Sequence, residues 1–156
     1  MDRGNEIRFV AERTLGKLAK WLRILGFDTV YAANVTGEEL INTAKNRILL
    51  TRTKRIWNMI IAKEGIFITS NYPFEQLREV ILALGIEKED IRPFSRCIRC
   101  NASIRLIEKN AVRGKVPDYI WETQNTFHTC GHCRRIYWSG SHIQRSRDII
   151  KRLGMF

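Results

Sequence analysis

The segment IRFVAERTLGKLAKWLRILG, residues 7–26, decides the first half of the fold. Its opening run, IRFVA (7–11), is short and apolar, which is typical of a strand. The helical spacing of the leucines that follow predicts a helix over 12–25 that ends at Gly26. The side of this helix opposite the leucines carries the basic residues Arg13, Lys17 and Lys20. We therefore expect one face to pack against a core and the other to meet solvent or phosphate.

The rest of the first 91 residues repeats this alternation. Further strand-like runs lie at 29–33, 47–51 and 65–69. Helical segments are predicted to begin at Thr36 and to cover 54–63 and 73–84. The sequence Thr36-Gly37-Glu38-Glu39 has the Thr-x-x-Glu spacing of a helix capping box. Four alternations of strand and helix predict an α/β fold, with a parallel sheet covered by helices on both faces.

The charge distribution divides the chain. The charged, proline-containing stretch 87–94 breaks the alternation, so we predict one domain over 1–91 and a smaller one over 92–156. The net charge is +11, but residues 1–91 hold 14 Lys/Arg against 12 Asp/Glu, while residues 92–156 hold 13 against 4. This excess favours a nucleic acid as partner. The alternative, an anionic membrane surface, is disfavoured because the basic helix predicted over 143–153 has few large apolar residues.

The sequence does not favour a membrane protein. No apolar run approaches the roughly 20 residues that a bilayer span requires. The start, MDRGNEIRFVAERTLG, contains no apolar stretch of signal-peptide length. We therefore expect a cytoplasmic protein without a membrane partner.

The four cysteines form two pairs of identical spacing, separated by 29 residues. They are Cys97, Cys100, Cys130 and Cys133. Two such pairs can present four thiolates to one tetrahedral Zn²⁺, whereas disulfides are uncommon in the cytosol and a redox Cys-x-x-Cys needs no second pair. Four thiolates close the coordination sphere, so the zinc is expected to be structural, with His132 and His142 as minor alternatives to a cysteine ligand.

Arginine and aromatic side chains surround the cysteines. Phosphate contact combined with base stacking requires this combination of residues. The candidates for RNA contact in this half are Arg99, Arg134, Arg135, Trp138, Arg145 and Arg147. In the first half they are Arg13, Lys17, Lys20 and Arg52. Trp138 could instead pack inside the small cysteine domain, and the residues leave both alternatives open.

Polar residues follow the predicted strands at the carboxyl edge of the sheet, where ligands bind in such folds. They include Glu12, Glu38 or Glu39, and Thr53. A metal-dependent nuclease needs several carboxylates there to hold Mg²⁺ or Mn²⁺ and to activate water. Glu39 also fits the capping box, and the helix dipole favours any carboxylate in a first turn.

Five segments carry a resemblance to a known family: FVAERTLGKLAKWLRILGFDT, RILLTRTK, SNYPFEQLREV, FSRCIRCN and FHTCGHCRRIYWSGSH. Together they resemble the PIN-like ribonuclease domain with zinc ribbon at the C-terminus of the mutator-seven exonuclease. The resemblance extends over 7–153 and implies a PIN-like sheet followed by a zinc ribbon.

The same resemblance implies which residues form the acidic site. It maps the family's acidic positions to Glu12, where Asp is usual, to Glu38 or Glu39, and to Thr53, where the family pattern LTRD has Asp. Glutamate extends the carboxylate by one methylene, and threonine removes a negative charge. Asp28 also matches a family position, and we expect a structural or turn role for it.

Three functions follow as hypotheses. The first is an RNA-binding protein with weak or lost catalysis, with structured rRNA or the ribosome as partner. The second is an active Mg²⁺- or Mn²⁺-dependent endoribonuclease in which Thr53 holds the metal through water. The third is a protein–protein adaptor that uses the zinc ribbon.

Overall fold

The structure is a computed structural model that describes residues 6–60 and 64–154. Its first sheet has four parallel strands in the order β2-β1-β3-β4. These strands are β1 (Arg8–Glu12), β2 (Asp28–Ala32), β3 (Ile48–Thr51) and β4 (Gly65–Phe67). The predicted strands were thus located to within two residues at each end, and the predicted parallel sheet is confirmed.

Helices cover both faces of this sheet, as predicted. They are α1 (Gly16–Ile24), α2 (Gly37–Thr43), α3 (Lys54–Met59) and α4 (Pro73–Leu84). Because neighbouring strand residues point to opposite faces, Phe9 and Leu50 enter one buried cluster, while Val10 and Leu49 enter the other. The first cluster also contains the apolar side chains of α1 and α4, and the second those of α2.

Two local expectations need correction. The helix expected from residue 12 begins instead as a 3-10 turn, Arg13–Leu15, before α1. Thr36 occupies the N-cap position of α2, but no side-chain cap hydrogen bond is formed there within the described chain, so the predicted capping box is wrong. Gly37, the first residue of α2, has a positive φ of 59°. The helix predicted over 54–63 ends at Met59, with Ile60 as its C-cap residue, and residues 61–63 lie outside the described residues.

A second, antiparallel sheet follows, with the strand order β5-β6-β7. Its strands are β5 (Ile104–Ile107), β6 (Phe127–Cys130) and β7 (Ile136–Trp138). The short helix α5 (Asp118–Thr123), which the sequence analysis did not predict, lies between β5 and β6. Val112, Val116 and Phe127 form a small buried cluster beneath it. We call the chain from Cys97 to Trp138 the cysteine module.

The cysteine module and the last helix, α6 (Ser141–Arg152), contact the parallel-sheet part directly. Ile150 of α6 is fully buried in the same cluster as Phe9. Gly26 has a φ of +94°, and a Cβ atom there would lie 2.3 Å from the carbonyl oxygen of Arg92, so this close approach requires glycine. The division at residue 91 stays a prediction. Within the described ranges, no helix combines the length and apolar character that crossing a bilayer requires.

Candidate functional site

Glu12 lies at the carboxyl edge of the parallel sheet, and the residue is 2% exposed. Its Oε1 accepts hydrogen bonds from the Thr14 hydroxyl at 2.6 Å and from the backbone N–H of Arg52 at 3.0 Å. Its Oε2 accepts one from the Thr51 hydroxyl at 3.0 Å, and the Thr53 hydroxyl lies 3.0 and 3.2 Å from the two oxygens. A carboxylate offers about four acceptor positions, so protein donors occupy all of them.

These hydrogen bonds also determine the ionisation of Glu12. Burial raises the pKa of its carboxyl group, but the bonds from Thr14, Arg52 and the other two threonines favour the charged form. The net effect lowers the pKa below its ordinary value of 4.5. Glu12 is therefore a fixed anion that joins β1 to the end of β3.

An open pocket of about 300 Å³ lies beside Glu12; we call it the carboxyl-edge pocket. Its wall includes Arg13, Thr53 and Arg55. Among the described residues that line it, Glu12 is the sole carboxylate. Glu38 and Glu39 are exposed in the first turn of α2 and do not line this pocket. The residues brought together here do not fit a Mg²⁺ or Mn²⁺ site built from several carboxylates.

The neighbouring strand ends are held by polar side chains. Arg52 donates from Nη2 to Oδ1 of Asn71, and its buried Nε has no hydrogen-bond partner in the described part of the chain. Glu79 of α4 accepts hydrogen bonds from the backbone N–H groups of Thr69 and Ser70 at 2.8 and 2.7 Å. Glu79 therefore fixes the loop after β4, a role that the sequence analysis missed because Glu79 lies ten residues away along a helix.

The four cysteines converge as predicted. Their Sγ atoms lie within 4.8 Å of one another, with Cys97 and Cys133 at 3.7 Å and Cys100 and Cys130 at 3.3 Å. Zn–S bonds of about 2.3 Å in a tetrahedron separate the sulfurs by about 3.8 Å. The cluster can hold a metal ion and is consistent with zinc. Among residues 6–60 and 64–154 it is the only group of three or more His, Cys, Asp or Glu side chains so placed.

The two Cys-x-x-Cys turns have the same backbone geometry. The N–H of Asn101 donates to the carbonyl oxygen of Cys97, and that of Arg134 donates to the carbonyl oxygen of Cys130, both at 2.9 Å. Asn101 and Arg134 both have positive φ, 70° and 59°. Each turn thus reverses the chain on a left-handed residue directly after its second cysteine.

The thiols of the cluster ionise unequally. Burial raises the pKa of Cys97, but hydrogen bonds from the Tyr137 hydroxyl, 2.9 Å away, and from neighbouring backbone groups lower it to about 6. Burial and the adjacent sulfurs raise the pKa of Cys100 to about 12. Four anions at this spacing repel one another, so the cluster requires a cation to hold all four thiolates.

Four of the cations predicted to contact RNA line one groove of about 580 Å³, which we call the basic cleft. Lys17 and Lys20 come from α1, Arg99 from the first Cys-x-x-Cys turn, and Arg135 from the chain just after the second. The basic cleft therefore lies between the parallel-sheet part and the cysteine module. Its lining also includes Arg23 and Tyr31, which the sequence analysis did not select.

The other predicted RNA contacts lie elsewhere, and their role stays a prediction. Arg134 is exposed on the second Cys-x-x-Cys turn, and the guanidinium of Arg147 lies 5.6 Å from the ring of Phe94. Trp138 is half-buried against the cluster around Phe127, which fits the packing alternative. The side chain of Arg145 lies outside the described residues.

Fold and site together define an α/β protein whose parallel sheet carries a pocket with one buried carboxylate at its carboxyl edge. Its second half contains a four-cysteine cluster that can hold a metal ion. The Mut7-C RNAse domain family matches residues 7–150. The chain belongs to the Mut7-C RNase domain family, which confirms the resemblance found in the sequence. Searches among curated proteins and among solved structures gave no significant match.

Proposed function

We propose that this chain binds RNA and cleaves it weakly or not at all. The observation that carries the proposal concerns Glu12, whose carboxylate already accepts hydrogen bonds from one backbone N–H and three hydroxyl groups. A divalent cation would have to displace at least one of them. Among the described residues, no second carboxylate lines the pocket that could bind the same cation. Positioning and charge stabilisation of a phosphodiester would both suffer.

The affinity for RNA rests on the basic surfaces. Residues 92–156 carry 13 Lys/Arg against 4 Asp/Glu, and the basic cleft collects side chains from both parts of the chain. Phosphate contacts of this kind release counterions and dominate the affinity for nucleic acids. A structured RNA such as rRNA is the partner class that we favour, and a structural zinc ion in the four-cysteine site would hold the cysteine module folded.

The test is equilibrium binding of a labelled structured RNA to zinc-loaded protein, by fluorescence anisotropy at several salt concentrations. We expect affinity to fall steeply with added salt, with each phosphate contact contributing a slope of about −0.7 to −0.9 in log K against log salt. The matched variant Glu12→Gln removes the pocket's anion, and it is expected to bind at least as tightly as the wild type.

The alternatives predict other results. An adaptor would show negligible RNA affinity and salt-insensitive capture of a protein. An active endoribonuclease would shorten the labelled RNA when Mg²⁺ or Mn²⁺ is added, and Glu12→Gln would stop that cleavage. Either result would refute the proposal.

A further inference from the structure

The basic cleft has a strong excess of positive charge. Lys17, Lys20 and Arg23 follow one another at three-residue intervals along α1, so they share one side of the helix, and Arg99 and Arg135 approach from the cysteine module. Of the described residues that line the cleft, none is acidic. Four thiolates around one Zn²⁺ would leave about two net negative charges nearby. The five cations exceed them, so the cleft favours an anionic ligand.

Arg23 forms the buried part of this site. It is 8% exposed, and its Nε donates to the carbonyl oxygen of Thr29 at 2.9 Å. Its Nη1 donates to the carbonyl oxygens of Ile98 and Arg99 at 2.9 and 3.2 Å. All three acceptors are uncharged, and no carboxylate in the described ranges forms an ion pair with Arg23. The negative groups that act on this buried guanidinium, the sulfurs of Cys97 and Cys100 and the carboxylate of Asp28, form no ion pair with it in the described ranges, so an anion in the cleft would stabilise it further.

Tyr31 adds an aromatic ring to the same cleft. The side chain is 38% exposed, although it lies at the end of β2. Its hydroxyl donates to the carbonyl oxygen of Arg13 at 2.7 Å. A Cβ atom on Gly16 would lie only 3.0 Å from Cζ of Tyr31, so the missing side chain of Gly16 leaves room for the ring against the start of α1. The ring is thereby fixed in place before any ligand binds, which reduces the entropy cost of stacking.

Tyr31 also connects the two concave sites. Its hydroxyl donates a hydrogen bond to the backbone carbonyl oxygen of Arg13, and Arg13 lines the carboxyl-edge pocket beside Glu12. A chain of nucleotides that crosses Tyr31 from the basic cleft would reach this pocket next. A fixed aromatic ring among cations suits an unpaired base with its flanking phosphates, whereas a duplex keeps its base faces stacked internally.

We propose that the basic cleft binds a single-stranded segment of RNA, with a base stacked on Tyr31 and its phosphates held by Lys17, Lys20, Arg23 and Arg99. The segment continues over Arg13 toward the carboxyl-edge pocket. The inference rests on the proposed function and specifies the form of RNA that it takes, an unpaired segment within or at the end of a structured RNA.

The experiment compares a labelled ten-nucleotide single-stranded RNA with a blunt RNA hairpin, using the full zinc-loaded chain. Tyr31→Leu should weaken single-strand binding roughly tenfold or more and change hairpin binding little. Tyr31→Phe keeps the ring and should lose far less. The pair Lys17→Gln and Lys20→Gln should lower the salt slope by about 1.4 for the single strand. A control pair outside the cleft, Lys45→Gln and Lys115→Gln, carries the same charge change and should leave the slope nearly unchanged.

The outcomes separate the two proposals. If Tyr31→Leu binds the single strand as tightly as Tyr31→Phe does, or if both lysine pairs act equally, the cleft is not a single-strand site, although RNA binding by the chain would stand. If wild-type protein binds neither RNA, the proposed function itself is wrong. Thermal melts of each variant identify any loss that comes from unfolding, and the exposed lysine pair tests the site even if Tyr31→Leu folds poorly.

Discussion

The hydroxyl of Thr53 bridges both carboxylate oxygens of Glu12, at 3.0 Å from Oε2 and 3.2 Å from Oε1. In the family pattern that the resemblance implies, an aspartate stands at the position of Thr53, which in this chain is an uncharged hydrogen-bond donor. The donor stabilises the charge of Glu12, whereas an anion would repel it unless a cation lay between them. The Thr53 hydroxyl thus stabilises the charged form of Glu12 directly.

Thr53→Asp should therefore make the stability of the fold depend on divalent cations. Without them, repulsion between the two carboxylates should cost roughly 1 to 3 kcal/mol of unfolding free energy. Adding Mn²⁺ should recover much of it, and the variant's Tm should rise further than that of the wild type. Thr53→Asn has a similar shape without the charge, so it should not respond to Mn²⁺. Equal responses of the two variants would contradict a metal site formed by Asp at this position.

Glu12 should make the protein sensitive to acid. Its folded pKa lies below its ordinary value of 4.5, so its contribution to stability is complete above about that pH and is lost as the pH falls through the folded pKa. Denaturant unfolding between pH 7 and pH 3 should show a smaller loss for Glu12→Gln than for the wild type. At pH 7, Glu12→Gln should cost about 1 to 3 kcal/mol, because buried donors lose a charged acceptor.

The control for this titration is Glu122→Gln, which changes an exposed carboxylate of α5. It should follow the wild-type pH dependence. A Glu12→Gln curve parallel to the wild-type curve throughout would mean that the hydrogen bonds at Glu12 do not stabilise its charged form.

The two left-handed residues of the Cys-x-x-Cys turns should respond oppositely to glycine. Arg134→Gly relieves the backbone strain of the positive φ. It should leave the free energy of unfolding unchanged or raise it by up to about 1 kcal/mol. Asn101→Gly also relieves the strain of a positive φ. It removes, however, the side chain that donates to Asp28 at 2.7 Å and accepts from the N–H of Thr29 at 2.9 Å. Asn101→Gly should therefore destabilise the fold, by about 1 to 3 kcal/mol. Thermal or denaturant unfolding tests the pair, and equal shifts would contradict the structural role of the Asn101 side chain.

The four-cysteine site should bind one zinc ion per chain and hold the cysteine module folded. Cys100→Ser should lower the bound zinc measured by native mass spectrometry and expose Trp121 and Trp138, which is visible as a change in tryptophan fluorescence. His132→Ala should retain full zinc, because the His132 side chain is exposed and four thiolates already converge without it. Loss of zinc from His132→Ala, or normal zinc content in Cys100→Ser, would contradict the four-thiolate ligand set.

Much of the fold was predictable because its signals are local. The alternation of short apolar runs and amphipathic segments located all four parallel strands, and the range 73–84 coincides with α4. The cysteine spacing alone predicted a metal site, and the family resemblance was confirmed. The short helix Asp118–Thr123 was missed because four of its six residues are aromatic or β-branched and it lacks a full amphipathic pattern.

The arrangement of the sites was less predictable, because it depends on contacts distant in sequence. Asp28 was expected to be structural, and it forms a hydrogen-bonded ion pair with Arg47 at 2.7 Å. Nothing local predicts that Tyr31 and Arg23 meet the cysteine module across the same cleft. The spacing of Lys17 and Lys20 could have suggested Arg23, three residues further on, as a third cation of the same surface. The burial of Arg23, however, depends on the carbonyl groups of residues 98 and 99.

The most direct test of the central claim is a single-turnover cleavage assay with end-labelled RNA, excess zinc-loaded protein, and Mg²⁺ or Mn²⁺. Wild type should bind the RNA and leave it intact, and Thr53→Asp should gain metal-dependent cleavage that Thr53→Asn lacks. Efficient cleavage by the wild type that Glu12→Gln abolishes would contradict the account and identify the chain as an active ribonuclease.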